Sequence, residues 1–183
     1  MTNIYLVRWF FCQFLFTLII HNSIIYGRKW LQVVESGDYM LMGEFHHNLD
    51  EKYRLIIPSK LRESLGDEVV ITRGLEGSLF IYSKEEWEKV ISKLNLLPFT
   101  KKDARNFNRM FLSGAIFSSF DKQGRIKLSI PLTKYAELKK ECVIIGVNDR
   151  LEVWDKEKWE NFINVSTEEY SDLADNLFNN LDL

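Results

Sequence analysis

The sequence is poor in the residues and motifs that mark several common classes of protein. It has only two cysteines among 183 residues, Cys12 and Cys142, and no CxxC pair. A disulfide scaffold is therefore not expected, and both thiols are interpreted as small hydrophobic side chains in a reducing compartment.

Signatures of catalysis are also missing. The chain contains no HExxH, no GxSxG and no glycine-rich phosphate loop, and His46 and His47 are adjacent rather than spaced as metal ligands. An enzyme is not expected, and no cofactor, metal ion or small-molecule substrate is predicted.

A clean membrane span is absent as well. Residues 9–20 form an apolar run of about twelve residues, too few to cross a bilayer, and Gln13 interrupts it with no Ala-x-Ala cleavage site after it. Residues 1–39 are interpreted as an apolar leader. It either lies outside the native product, with translation starting at Met40 or Met42, or acts as a weak signal anchor of a membrane-bound regulator.

Charge of one sign does not dominate the chain. The formal net charge is −2, with 46% hydrophobic and 27% charged residues, which is typical of a soluble globular protein of one or two small domains. Binding to nucleic acid through bulk charge is not indicated. Basic residues nevertheless outnumber acidic ones between residues 98 and 150, and the balance reverses after residue 150.

What the sequence does contain is an internal repeat with a period of about seventy residues. Residues 50–87 correspond to residues 121–159, and the apolar positions of the intervening segments agree between the copies. Each copy predicts two short strands around a turn, interpreted as a hairpin, then a short helix and two further strands. Helices begin at the capping boxes of Ser83 and Thr100, and an apolar stripe follows Ser166. The expected fold is α+β and β-rich, with duplicated β-β-α-β-β modules.

Each copy opens with an Asp-x-x-x-Arg segment that predicts a rigid turn. The carboxylates of Asp50 and Asp121 can accept backbone N–H bonds within the turn and pair with the arginine. Gly124 suits a position with positive φ. The turns present four cations suited to phosphate oxygens or guanine edges, namely Lys52, Arg54, Lys122 and Arg125. A turn whose arginine is only salt-bridged at the surface is an equal alternative for one copy, and duplication favours binding.

Four separated segments resemble one known family in order. They are Met42-Gly-Glu-Phe-His-His-Asn-Leu-Asp-Glu-Lys52, Arg54-Leu-Ile-Ile-Pro58, Asp121-Lys-Gln-Gly-Arg125 and Trp154-Asp-Lys-Glu-Lys-Trp159. On these segments the chain from residue 40 to about residue 162 resembles MraZ, a family of bacterial transcriptional regulators.

The resemblance implies two SpoVT-AbrB-type domains of swapped-hairpin topology, forming a pseudo-two-fold, barrel-like unit with flanking helices. The domains are expected at residues 42–94 and 115–165, with a linking helix at 95–114 and an acidic helix or tail at 166–183. It also implies a ring of identical subunits that binds repeated double-stranded elements in the promoter of the division and cell-wall gene cluster. Arg54 and Arg125 would contribute to that contact, in a cytoplasmic protein associated with the nucleoid.

Two positions depart from the pattern of the family. Tyr53 stands where Gly124 stands in the second copy and where the family usually has glycine, so the first turn is expected to be strained or differently shaped. Ser129 replaces the proline expected from Pro58, and Pro131 follows two residues later. The short helix of the second copy is therefore expected to start late.

Two other functions stay open. An AbrB-like interaction or antitoxin-type module would act mainly through protein partners, and the acidic tail is compatible with it. A single-strand binder would stack bases on exposed rings. However, Trp87, Trp159, Phe107 and Phe111 fall on predicted core faces, which leaves Tyr53 as the ring expected beside DNA.

Overall fold

The structure, a computed structural model, describes residues 40–179 of the protein. The predictions for the leader, for Cys12 and for the end of the apolar stripe after residue 179 lie outside the described residues. Each copy of the repeat has the predicted β-β-α-β-β order. The first copy contains β1 (Leu41–Asn48), β2 (Arg54–Ile56), α1 (Ser59–Leu65), β3 (Glu68–Arg73) and β4 (Leu79–Ser83), followed by α2 (Lys84–Asn95) and α3 (Lys102–Leu112). The second contains β5 (Ile116–Ser119), β6 (Arg125–Lys127), α4 (Ile130–Tyr135), β7 (Glu141–Asn148) and β8 (Arg150–Asp155), followed by α5 (Lys156–Asn179).

The two copies exchange their first strands within one antiparallel sheet. Its strand order is β1-β7-β8-β4-β3-β5, so β1 of the first copy pairs with β7 of the second and β5 pairs with β3. The order has the symmetry of the repeat, because exchanging each strand for its counterpart in the other copy gives the same order read from the other end. The counterparts β8 and β4 are adjacent at the centre. The α+β class and the duplicated, strand-swapped modules are therefore confirmed.

The second strands form a separate two-stranded ribbon. In it, β2 and β6 pair antiparallel, with Leu55 opposite Ile126. The interpretation of β1–β2 and β5–β6 as ordinary hairpins was wrong, because each of these strands finds its ladder partner in the other copy. Two backbone bonds close each turn. In the first copy the N–H of Asp50 donates to the carbonyl of Arg54 and the N–H of Tyr53 to the carbonyl of Asp50, and Asp121, Gly124 and Arg125 make the same bonds in the second copy. Beyond the turns the two strands of each copy belong to different sheets, and β5 and β6 are joined through the side chain of Ser118 and the backbone of Lys127.

The main core lies between one face of the sheet and a layer made of the ribbon, α1 and α4. Alternation along each strand directs one set of side chains inward, as in β3, where Val69 and Ile71 face this core and Val70 faces the opposite side. Leu55 and Ile126 of the ribbon are fully buried against it. Burial of side chains of this size contributes about 1.5–3 kcal/mol each, so the ribbon is fixed to the sheet.

Helices cover parts of the other face. Trp87 of α2 and Phe111 of α3 pack on Phe80 and Tyr82 of β4, and Trp159 of α5 packs against β8. Trp87, Trp159 and Phe111 are buried, as predicted from their spacing. Phe107 differs, because it stacks on Phe111 but remains 41% exposed.

Two predicted helix starts were wrong. Ser83 caps α2 through the N–H of Glu86 as expected, but α3 begins at Lys102 without a side-chain cap, so Thr100 does not open it. Helix α4 begins at Ile130, the position that corresponds to the start of α1 at Ser59. It does not start late, because the hydroxyl of Ser129 accepts a bond from the N–H of Leu132 and caps the helix without proline.

Candidate nucleic-acid interface

The two Asp-x-x-x-Arg segments fold into turns with the same hydrogen bonds. We call residues 50–54 loop 1 and residues 121–125 loop 2. In loop 1, Oδ1 of Asp50 accepts from the backbone N–H groups of Lys52 and Arg54, at 2.9 and 2.8 Å. In loop 2, Oδ1 of Asp121 accepts from Gln123 and Arg125, at 2.9 and 3.0 Å. One carboxylate oxygen therefore organises the backbone of each turn.

The second carboxylate oxygen holds the arginine. Nε of Arg54 donates to Oδ2 of Asp50 at 2.7 Å, and Nε of Arg125 donates to Oδ2 of Asp121 at the same distance. Nη2 of Arg125 also lies 2.6 Å from that oxygen, whereas its Nη1 lies 3.9 Å from Oδ2 of Asp50 in the other loop. Within residues 40–179, both terminal amino groups of Arg54 have no hydrogen-bond partner. A partly exposed guanidinium with its stem fixed and its outer N–H groups free is suited to an anion or a base edge.

These bonds also keep the loop carboxylates ionised. Hydrogen bonds from the side chain and backbone of Arg125 lower the pKa of Asp121 to about 2. Desolvation raises the pKa of Asp50, but bonds from the backbone and side chain of Arg54 outweigh it, and the net pKa lies below the ordinary value. Both carboxylates are therefore charged at neutral pH and accept hydrogen bonds only.

Loop 1 keeps the shape of loop 2 in spite of its tyrosine. Tyr53 has φ 57° and Gly124 has φ 74°, and both positions donate their N–H to the carbonyl of the loop aspartate. Of the two outcomes expected for Tyr53, the structure has the strained one, at a cost of roughly 1–2 kcal/mol for a residue with a Cβ. The backbone of loop 1 and the Nε contact of Arg54 therefore match those of loop 2, and the two arginines differ in the contacts of their terminal amino groups.

The ribbon ties the two loops side by side. The N–H of Ile57 donates to the carbonyl of Gly124 at 3.0 Å, and the N–H of Leu128 donates to the carbonyl of Tyr53 at 2.8 Å. Each strand that leaves one loop is thus bonded to the tip of the other. Because the ribbon is packed on the core, the loops are held at a fixed separation.

The solvent-facing side of the ribbon is cationic. Alternation places Leu55 and Ile126 inward, and directs outward a set of four residues, Arg54, Ile56, Arg125 and Lys127. The side chains of Lys52 and Lys122 are exposed at the loop tips and have no ion-pair partner in the described part of the chain. All four predicted cations and the three turn-organising residues are therefore brought to one surface.

Sequence reasoning missed two cations on this surface. Lys127 lies opposite Arg54 in the ribbon, and its position became evident only from the pairing of β2 with β6. Arg62 of α1 donates from Nε to the carbonyl of Ile57 at 3.0 Å and covers loop 2, where a Cβ on Gly124 would lie 2.5 Å from its Cζ. Glycine at 124 therefore serves both the positive φ and the approach of Arg62.

The shape and charge of this surface suit a double helix. A two-stranded antiparallel ribbon fits the major groove of DNA, and lysine and arginine side chains reach phosphates and guanine from such a ribbon. Among residues 40–179, no group of three His, Cys, Asp or Glu side chains is arranged to hold a metal ion. The helices of the same region include none long and apolar enough to cross a membrane.

Comparison with known proteins gives matches in both halves of the chain. The sequence profile of one family, described as "MraZ protein, putative antitoxin-like", matches residues 40–110 and again residues 111–181. Proteins named "Transcriptional regulator MraZ" from Lactobacillus helveticus, Lactobacillus gasseri and Lactobacillus delbrueckii subsp. bulgaricus are 55%, 53% and 56% identical to it. Each alignment covers 138 residues, which is 75% of this chain and 96% of the relative. The double match and this level of identity show that the chain belongs to the MraZ family.

Proposed function

We propose that the protein is a DNA-binding transcriptional regulator and not an enzyme. The observation that carries the proposal is the pair of loops whose aspartates fix Arg54 and Arg125 on one cationic ribbon face. The relatives named as transcriptional regulators support it at the level of the family. Its site of action would be the cytoplasm, on the nucleoid.

The ribbon and its loops would form the DNA contact. Arg54, with free terminal amino groups, would reach guanine or phosphate, and Lys52, Lys122 and Lys127 would reach phosphates. Each protomer supplies few such contacts, and these are screened by salt, so one protomer alone would bind weakly.

Assembly would overcome this weakness. In a ring of subunits, each contact after the first is effectively intramolecular, so repeated promoter elements gain affinity without any new kind of contact. Exposed apolar side chains on two helices support a subunit interface, namely Phe107 and Met110 of α3 with Phe162 and Ile163 of α5. This proposal includes the ring and its target, the promoter of the division and cell-wall gene cluster. It also includes the division of the chain into two SpoVT-AbrB-type domains at residues 42–94 and 115–165, a linking segment at 95–114 and an acidic tail.

The test is binding of wild type, Arg54→Ala and Arg125→Ala to a fluorescent duplex from the region upstream of the gene for this protein. Loss of an arginine that contacts a base weakens binding by about 5- to 150-fold. Lys93→Ala is the matched control and should bind as wild type. Lys93 is an exposed lysine of α2, the helix that packs on the opposite face of the sheet. Unchanged binding by both arginine variants would refute the assignment of the surface. A steep rise in affinity with the number of DNA repeats would distinguish a ring from independent protomers.

A second candidate function is an interaction module of antitoxin type. The description of the matched family as antitoxin-like and the same exposed apolar side chains of α3 and α5 favour it. In that case Phe107→Lys would abolish capture of a protein partner, and the arginine variants would have no effect on it.

A further inference from the structure

Tyr53 is a strained residue in loop 1. It holds a positive φ that glycine would hold without cost, as Gly124 does at the same place in loop 2. Its side chain is 39% exposed, and its hydroxyl has no hydrogen-bond partner in the part of the chain that the structure describes. Strained backbone conformations are concentrated at functional sites, so an outlier of this kind motivates a hypothesis of function.

The tyrosine lines an open groove beside loop 1. Residues 138–140 also line the groove, together with Leu49, Asp50 and Glu51. Of the two lysines among them, Lys139 pairs with Glu157 at 2.5 Å, whereas Lys140 is exposed and has no ion-pair partner among residues 40–179. Asp50 is bound to Arg54, and Glu51 is exposed at the rim. Tyr53 and Lys140, a residue with a phenol hydroxyl and one with an unpaired ammonium group, therefore line the same groove.

Loop 2 has no equivalent of this pair. The residue before each loop aspartate donates its N–H across the sheet edge, from Leu49 to the carbonyl of Lys140 and from Phe120 to the carbonyl of Asp67. Asp67 beside loop 2 is thus the counterpart of Lys140 beside loop 1. Loop 2 has an acidic residue at the position where loop 1 has a basic one. The tyrosine is matched by Gly124, which has no side chain. The groove is therefore a property of one loop and not of the duplicated turn.

We propose that Tyr53 and Lys140 bind one phosphodiester group of the DNA backbone, next to the contact made by Arg54. The hydroxyl of Tyr53 donates to a phosphate oxygen, and the ammonium group of Lys140 supplies the charge. Loop 1 then holds the duplex more tightly than loop 2. This inference rests on the proposed function and adds two positioning residues to it, and it explains why loop 1 retains a strained tyrosine.

The test uses the full chain and the fluorescent duplex from upstream of its own gene. Tyr53→Phe removes only the hydroxyl and should weaken binding about 2- to 10-fold, the range for one hydrogen bond. Lys140→Gln should weaken binding and lower the slope of log K against log salt by about 1. The double variant should lose less binding free energy than the sum of the two single losses, because both groups contact the same phosphate. Asp67→Asn, at the matching place beside loop 2, should not weaken binding.

Thermal unfolding separates function from folding. Tyr53→Gly should unfold at or above the midpoint of wild type, because glycine adopts the positive φ freely, and yet bind DNA less tightly. A clearly lower midpoint would show that Tyr53 serves packing and would overturn the inference. Wild-type affinity in Tyr53→Phe and Lys140→Gln, with binding lost in Arg54→Ala, would also overturn it and leave the proposed function intact. No binding by wild type, or unchanged binding by both Arg54→Ala and Arg125→Ala, would instead count against the proposed function and its surface.

Discussion

Replacing Asp50 by asparagine separates the role of the loop geometry from the role of charge. The change removes a negative charge from a surface proposed to bind DNA, so electrostatics alone predicts tighter binding. The structure predicts the opposite. Asp50 accepts three hydrogen bonds, from the backbone of Lys52 and from the backbone and Nε of Arg54. An asparagine side chain has one acceptor oxygen and presents N–H donors at the other position, so it cannot keep both the turn and the arginine in place.

The expected loss of affinity follows from the rotamer entropy that the side chain of Arg54 regains when Asp50 no longer holds it. An arginine side chain carries about 2 kcal/mol of rotamer entropy. If Arg54 must be ordered by the DNA rather than by the protein, the affinity falls by up to about 30-fold.

The assay is fluorescence anisotropy with the upstream duplex, at several salt concentrations. Glu51→Gln is the matched control, because it removes the same charge from the neighbouring, exposed residue that makes no ion pair in the described region. We expect binding of that variant to be equal to or tighter than wild type, while Asp50→Asn binds more weakly with an unchanged salt slope. Equal or tighter binding of Asp50→Asn, in a protein that melts like wild type, would refute the role of the aspartate as an organiser of the loop.

Three further predictions concern the core, the loop carboxylates and assembly. Ile126→Val should lower the free energy of unfolding by about 0.5–1.5 kcal/mol, whereas Ile56→Val, at a 42% exposed site on the other face of the ribbon, should leave the urea midpoint unchanged. The carboxyl carbon of Asp121 should titrate by NMR with a midpoint, and hence a pKa, of about 2, below the ordinary value of 3.8. Because the folded pKa is the lower one, this carboxylate stabilises the fold above about pH 4 and loses that effect as the pH falls towards 2; a midpoint near 3.8 would show that the pair with Arg125 is not formed. Phe107→Lys should reduce the size of the assembly in light scattering without unfolding the protomer, and an unchanged mass would place the subunit contact elsewhere.

The duplicated order of elements could be predicted because the two copies of the repeat can be aligned with each other, which shows which positions are equivalent. Residues that share a role recur at nearly the same distance after the loop aspartate, as Trp87 does 37 residues after Asp50 and Trp159 does 38 residues after Asp121. The exchange of strands could not be derived from alternation alone, since a period of two shows which side chains face inward but not which strand lies alongside. A tight turn between two short strands is typical of a hairpin, and only the pairing of β1 with β7 and of β2 with β6 excludes one.

The candidate site was predictable to the extent that it lies within one segment of sequence. Asp50 and Arg54 are four residues apart, and turn chemistry alone predicts their contact. Lys127 and Arg62 reach the same surface through tertiary pairing and helix packing, for which the local sequence gives no signal. Thr100 failed as a helix cap because the chain turns at residues 98–101, where Arg105 binds the carbonyls of Phe99 and Thr100.

The central claim is that the β2–β6 ribbon and its two loops are the surface that meets DNA. Backbone amide shifts of the protein, measured by NMR with and without the upstream duplex, test it most directly. We predict that the largest changes fall on residues 50–56 and 121–127, with little change on α2. Changes concentrated on α3 and α5, with the loop amides undisturbed, would contradict it.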